Sequence, residues 1–168
     1  MIVVKTITPD DVEAYWRLRL EALLDSPEAF GATYEASVDT PIESVKARIQ
    51  ASEDQYVLGA FTESGELVGM VGFRREESVK VKHKGFVWGM YVSPIARQQG
   101  VGRLLLQELL NRGRELDGLE QINLMVVTGN ERARGLYLSL GFEVYGLERR
   151  ALKYRGIYYD EELMVYTI

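Results

Sequence analysis

A glycine-containing stretch in the middle of the chain reads Arg97-Gln98-Gln99-Gly100-Val101-Gly102. It follows a predicted strand that ends at Val92 and opens a predicted helix that begins near Val101. Glycines let the backbone approach a ligand closely, and the unpaired N–H groups and the dipole of a helix N-terminus attract anions. The stretch therefore predicts a phosphate or pyrophosphate loop, which Arg97 and Arg103 would reinforce.

The residues after this loop exclude two other phosphate motifs. Leu105 stands where Gly-x-Gly-x-x-Gly requires its third glycine, and no Lys-Ser or Lys-Thr pair follows as in a P-loop. Neither a Rossmann fold nor a P-loop fold is therefore predicted. An alternative stays open here, namely that Gly100 and Gly102 only shape a tight turn between strand and helix.

Strands and helices are predicted on both sides of the loop. The predicted strands are 2–7, 56–61, 67–74, 86–92, 121–127, 142–147 and 162–166, and the predicted helices follow Thr8 and cover 41–51, 101–116 and 130–140. The first helix is expected to bury Val12, Trp16, Leu20, Leu23 and Leu24, with Arg17, Arg19 and Glu21 pointing elsewhere. Segment 28–39 is ambiguous between a short helix and a loop.

Composition limits the classes of protein that the chain can represent. The 168 residues are 46% hydrophobic and 27% charged, as expected for one globular domain. The net charge of −5 argues against a nucleic-acid partner. The chain has no Cys and one His, so no thiol nucleophile and no metal site is expected. No apolar run approaches the length of a membrane span, and a cytoplasmic protein without a membrane partner is expected.

A second motif, Asn130-x-x-Ala133-x-x-Leu136-Tyr137-x-x-x-Gly141-Phe142, follows the loop. Together with Arg97-x-x-Gly100-x-Gly102, in this order and spacing, it resembles the GNAT superfamily of acyl-CoA-dependent N-acetyltransferases. The resemblance is tight from Trp88 to Phe142 and looser over the preceding helices and hairpin. It identifies residues 1–168 as a single N-acetyltransferase domain.

The resemblance implies an α/β (mixed α+β) fold, in which helices flank a twisted, mostly antiparallel mixed sheet that splays open between its fourth and fifth strands. The pantetheine arm of acetyl-CoA would lie in the opening and pair with the fourth strand like an added strand. A bulge, suggested by the interior glycine Gly89, would open the sheet there. The residues assigned to acetyl-CoA are Met90, Tyr91, Val92, Arg97, Gln98, Gln99, Gly100, Val101, Gly102, Arg103, Asn130, Ala133 and Tyr137. Asn130 could equally be a helix N-cap, and both roles can hold.

Tyr137 is predicted, by analogy with the family, to be the general acid. After an amine attacks the acetyl carbonyl, coenzyme A leaves as a thiolate, and a phenol with a pKa of about 10 can donate a proton to its sulfur. The alternative is a core aromatic residue, because Ala133, Leu136 and Leu140 lie on adjacent faces of the same helix.

Several residues compete for the role of general base. Many relatives place a Glu on the fourth strand, but Phe86, Val87 and Trp88 stand there in this chain. Glu35 is predicted instead, because the family tends to fold its segment over the acceptor site. Asp160, Glu161 and His83 are the alternatives, and each of these residues also fits a plain surface position.

The predicted acceptor pocket contains Tyr34, Glu35, Trp88 and Tyr159. The predicted reaction is acetyl transfer from acetyl-CoA to a primary amine of a small molecule or peptide by direct attack in a ternary complex. Without Cys or a nucleophile elbow, no covalent enzyme intermediate is expected. The alternatives are another acyl-CoA, a protein N-terminus as acceptor, or a non-catalytic CoA-binding regulatory module. Pairing of the tail strand between chains leaves a homodimer open.

Overall fold

Seven strands form one sheet in the order β1-β2-β3-β4-β5-β7-β6 in the computed structural model, which describes residues 1–168. The strands are β1 (Val3–Thr6), β2 (Gln55–Phe61), β3 (Leu67–Arg75), β4 (Lys84–Val92), β5 (Gln121–Val127), β6 (Glu143–Tyr154) and β7 (Ile157–Thr167). The helices are α1 (Val12–Asp25), α2 (Tyr34–Ser37), α3 (Ile42–Arg48), α4 (Val101–Glu115) and α5 (Glu131–Leu140). Only β4 and β5 pair in parallel. The predicted mixed, mostly antiparallel sheet flanked by helices is confirmed.

Two hydrophobic cores cover the two faces of the sheet. On one face α4 buries Leu105, Leu106 and Leu109 completely in a cluster that includes Phe73 and Tyr137. On the other face α1 and α3 pack over strands β2, β3 and β4 in a second cluster. The strands β2 and β3 are therefore almost continuously buried, which explains their long apolar runs.

The buried face of α1 differs from the predicted one. The helix buries Val12, Tyr15, Leu18, Ala22 and Leu23, whereas Leu24 is exposed. Apolar residues form two overlapping stripes along this helix, and only the packing against α3 and the sheet selects between them. As a result Arg19, expected to point away from the protein, lies partly buried between α1 and β4.

The last two strands form a hairpin much longer than the predicted strands 142–147 and 162–166. Its arms run from Glu143 to Thr167 and join through Arg155 and Gly156, which both adopt positive φ angles, as a tight hairpin turn requires. Much of β6 is exposed and lacks apolar alternation, so its length left no signal in the sequence. In contrast, α3 ends at Arg48 and is shorter than the predicted helix 41–51.

The expected pairing of the tail strand between chains is wrong, because β7 lies inside the sheet between β5 and β6. The free edge at this end of the sheet belongs to β6. A homodimer stays a prediction. None of the helices has the length and apolar character that crossing a bilayer requires.

The sheet opens between β4 and β5. These strands pair only where Lys84, Gly85 and Phe86 face residues 121–123, and beyond Phe86 they separate. Gly89, with φ of 64°, forms a bulge where the register between β3 and β4 shifts. The opening leaves the last half of β4 with one unpaired edge.

Candidate active site

The loop before α4 presents a row of free backbone donors. No backbone N–H group from Gln98 to Arg103 donates a hydrogen bond to another backbone group. Gln98 and Gly100 adopt left-handed conformations, with φ of 63° and 75°, which curve the loop around these donors. Because the N-terminus of the helix α4 adds a positive dipole, this curved backbone can bind an anionic phosphate group.

The two arginines beside the loop already have partners inside the protein. Arg97 donates from Nη2 to Asp25 Oδ2 at 2.7 Å and from Nε to the carbonyl oxygen of Val92 at 3.0 Å. This pairing holds the pKa of Asp25 below its usual range. Arg103 donates to Ser139 Oγ on α5 at 2.7 Å. Both side chains therefore anchor the loop to neighbouring elements, and their direct contact with phosphate stays a prediction.

A cleft of about 640 Å³ runs from the loop into the opening of the sheet. It is lined by Met90, Tyr91 and Val92 of β4, by Gly100, Val101 and Gly102 of the loop and helix, and by Asn130, Ala133 and Tyr137 around α5. A smaller cavity of about 90 Å³ continues between β4 and β5. Gln99 is the one residue of the predicted cofactor set that the larger cleft does not include.

Tyr137 lies where the two cavities meet, since it lines both. Its side chain is only 5% exposed and packs edge-on against Phe142. Burial alone raises the pKa of Tyr137 well above its usual value, and no hydrogen-bond partner contributes. The phenol therefore stays protonated at neutral pH, which is the state of a proton donor.

Asn130 also lines both cavities, at the first turn of α5. Its Oδ1 accepts a hydrogen bond from the Ala133 N–H at 3.4 Å, so it is the N-cap of the helix. The side-chain amide nitrogen makes no hydrogen bond within this cap, which leaves it available to the cleft.

A sequence model of the acetyltransferase (GNAT) family matches residues 17–142, a range that includes both the loop and Tyr137. The chain belongs to this family. Two relatives are N-alpha-acetyltransferase RimI of Mycobacterium tuberculosis, 36% identical over 63% of this chain, and the uncharacterized N-acetyltransferase YoaA of Bacillus subtilis, 29% identical over 61%. The matches span 63% and 55% of those proteins, which is less than two thirds of either.

Solved structures of GNAT proteins share the whole fold. The GNAT-family acetyltransferase of Streptococcus pneumoniae superimposes with a TM-score of 0.87 at 22% identity, over 100% of both chains. The protein yncA of Salmonella typhimurium, solved with its cofactor acetyl-CoA, superimposes with a TM-score of 0.83 at 21% identity over 99% of this chain and 94% of that chain. At these identities the likeness shows the fold alone.

The predicted acceptor residues fall into two groups in this GNAT chain. Trp88 lines the smaller cavity, and Tyr159 lines a third cavity of about 50 Å³ between the segment after α1 and the β6–β7 hairpin. Tyr34 and Glu35 line none of the three cavities. Glu35 is exposed and accepts hydrogen bonds from Tyr154 and Arg155, both at 3.3 Å.

Two of the three acidic candidates for the general base, Glu35 and Glu161, differ in their electrostatics. The pKa of Glu35 is lowered, mainly by a hydrogen bond from its own backbone N–H and further by Tyr154 and Arg155. Glu161 on β7 faces Val127 of β5, which lines the smaller cavity. Partial burial, assisted by the negative charge of Glu148, raises the pKa of Glu161. Glu161 is therefore the stronger base of the two; it lies on β7, one strand beyond the opening, and lines none of the three cavities.

No functional role for Phe30 or Arg19 follows from the sequence. Phe30 lines all three cavities, and the Arg19 guanidinium stacks over its ring with 5.1 Å from Cζ to the ring centroid. The signal for Phe30 was present, because the ambiguous segment 28–39 places this large aromatic next to Gly31. Arg19 left no signal, since its helical position alone suggested solvent.

Proposed function

We propose that this chain transfers the acetyl group of acetyl-CoA to a primary amine of a small molecule or peptide, by direct attack in a ternary complex, with residues 1–168 acting as one domain. The observation that carries the proposal is the position of Tyr137. This residue, whose phenol is protonated, lines both the cleft that begins at free backbone donors and the cavity that continues between β4 and β5.

The residues of the cleft fit acetyl-CoA, which supplies an acetyl thioester when it is bound. The free N–H groups from Gln98 to Arg103 would bind the pyrophosphate. The unpaired edge of β4 around Met90 and Val92 would bind the amides of the pantetheine arm, as an added strand does. The thioester end would then reach the part of the cleft that Tyr137 lines.

The proposed transfer removes two protons from the acceptor nitrogen and adds one to the sulfur. A base takes the first proton from the acceptor ammonium, and the free amine nitrogen then forms a bond to the acetyl carbon. As the carbon–sulfur bond breaks, the nitrogen loses its second proton to solvent, and Tyr137 donates its own proton to the departing sulfur and regains one from solvent. The products are an N-acetyl amide and free coenzyme A, so atoms and charge balance without a covalent enzyme intermediate.

Free-thiol release tests this function. The protein is incubated with acetyl-CoA and a panel of amino acids, amino acid amides, polyamines and peptides, and calorimetry measures acetyl-CoA binding in parallel. Binding together with thiol release on one amine class is the expected result. Tight binding without release on any amine would instead support the non-catalytic regulatory module, and absence of binding would overturn the cleft assignment.

Glu161→Gln is expected to lower kcat by at least about 10-fold and to flatten the pH profile on its acidic side. A base works only when it is deprotonated, so the wild-type rate should fall as the pH drops through the raised pKa of Glu161. The pH dependence of kcat with saturating acetyl-CoA measures this effect.

Glu35→Gln is the matched control, because it removes an exposed carboxylate whose pKa is lowered. Glu35→Gln should retain the acidic limb of the pH profile, that is, the fall in kcat at low pH. If the limb disappears in Glu35→Gln and persists in Glu161→Gln, then Glu35 is the base, as the sequence predicted.

A further inference from the structure

We propose that the acceptor amine also carries a carboxylate, and that Arg19 binds this carboxylate on the acceptor side of the open sheet. The inference deepens the proposed acetyltransferase function and rests on it. It starts from a buried cation for which the protein provides no counterion.

Arg19 lacks the partners that comparable arginines have. Its Nη1 atom is buried without a hydrogen-bond partner, and it is the only arginine in the chain with such an atom. Five other arginines form ion pairs with carboxylates, namely Arg75, Arg97, Arg112, Arg134 and Arg155. Burying a guanidinium without a counterion lowers the free energy of unfolding. The unpaired, partly desolvated Arg19 therefore indicates a partner from outside the chain.

Arg19 lines none of the three cavities, but it contacts two residues that shape the reaction site. Its Nη1 lies 3.4 Å from the place that a Cβ on Gly89 would take, so the guanidinium lies against the β4 bulge that opens the sheet. It also stacks over Phe30, which lines all three cavities. One turn earlier on α1, the Trp16 Nε1 atom is likewise buried without a partner. Trp16 and Arg19, three residues apart on α1, therefore each carry a buried donor that the protein leaves without an acceptor.

The charges around Phe30 favour an amine with a carboxylate. Desolvation lowers the pKa of Arg19 and only the phenol Tyr15 opposes it, so a bound anion would relieve an existing penalty. A carboxylate matches a guanidinium because its two oxygens accept two N–H donors. Glu28 and Lys153, which carry opposite charges, line the third cavity together with Phe30, as suits an acceptor with an ammonium and a carboxylate. Glu161, the proposed base for the ammonium group of the acceptor, lies on β7, which pairs with β5 on the other side of the opening from β4.

Paired substrates test the proposal in a thiol-release assay. Each L-α-amino acid is compared with its carboxamide, and C-terminally amidated peptides with Asp or Glu near the N-terminus distinguish a side-chain carboxylate from an α-carboxylate. Wild-type protein should prefer at least one carboxylate-bearing amine over its uncharged counterpart by about 10-fold or more in kcat/KM. Equal use of charged and amidated forms throughout would overturn the proposal.

Arg19→Gln should remove this preference, lowering kcat/KM for the carboxylate form by about 10- to 100-fold while leaving the amide form unchanged. Arg17→Gln is the matched control, because Arg17 is an exposed arginine on the same helix. It should keep the wild-type preference. The Tm of Arg19→Gln should not fall, since the variant loses an unpaired charge. Equal loss for both substrate forms would show a structural role and refute the proposal.

A binding experiment separates this inference from the proposed function. Calorimetry in the presence of coenzyme A measures the Kd of N-acetyl-L-amino acids and of their amides. These compounds are products, so their binding can be measured without turnover. Carboxylate-selective binding that Arg19→Gln abolishes, in a protein that releases no thiol, would refute the transferase function and retain the Arg19 site. Thiol release on uncharged amines alone would retain the transferase and refute the Arg19 site.

Discussion

Tyr137→Phe is expected to lower kcat by about 100- to 1000-fold while the KM for acetyl-CoA stays close to the wild-type value. The substitution removes only the hydroxyl that would protonate the leaving thiolate. The ring keeps its buried position against Phe142, so the cleft should keep its shape. Steady-state kinetics at saturating amine measure both constants.

The buried hydroxyl of Tyr56 provides a matched control. Like Tyr137, Tyr56 lies in the core on the α4 face, has no hydrogen-bond partner for its hydroxyl and has a raised pKa caused mainly by burial. It lines none of the three cavities. Tyr56→Phe should therefore retain wild-type kcat. Full activity in Tyr137→Phe, or equal losses in both variants, would contradict the assignment of Tyr137 as the acid.

Gly100→Asp is expected to raise the Kd for acetyl-CoA by about 100-fold or more, because like charges brought together in a binding site cost several kcal/mol. A Cβ at position 100 would meet no atom within 4 Å, so the fold can accommodate the side chain. The new carboxylate would stand among the free N–H donors and repel the pyrophosphate. Calorimetric titration with acetyl-CoA measures the change.

Two variants separate charge from backbone strain in this test. Gly65 lies in the β2–β3 turn, has a φ of 87° and would also have open space around a Cβ. Gly65→Asp therefore introduces the same backbone strain and the same charge as Gly100→Asp, but far from the cleft. It should bind acetyl-CoA normally. Gly100→Ala adds strain at the loop without charge and should lose much less affinity than Gly100→Asp. Unchanged affinity in Gly100→Asp would refute the loop assignment.

The order of elements and the turn of free N–H donors before α4 were predictable because they depend on local physics. The spacing of Gly100 and Gly102 before an amphipathic helix specifies a turn with free donors, whatever packs around it. Asn130 at the start of α5 is predictable as a cap for the same reason. Gly89 within an apolar strand indicated the bulge that the structure contains.

The assignments that failed or stayed open depend on contacts between distant segments. Glu35 and Glu161 look equivalent in sequence, yet one meets Arg155 at the surface while the other is partly desolvated beside Glu148. The pKa of a carboxylate is set by such neighbours and not by its own segment. The long hairpin was underestimated because exposed strands carry little hydrophobic pattern.

The sequence by itself determined the family and the turn of free donors before α4, and it supplied the prediction of Tyr137 as the acid, since all three depend on short motifs whose spacing carries the information. Only the tertiary structure decided which face of α1 is buried, and thereby that Arg19 lies unpaired against β4 and Phe30. The reason is that burial and charge pairing arise between elements far apart in the chain. The periodicity of an amphipathic helix shows that one side of it is apolar. The rotation of the helix about its axis, and with it the position of each charged side chain, is set by packing against neighbouring elements.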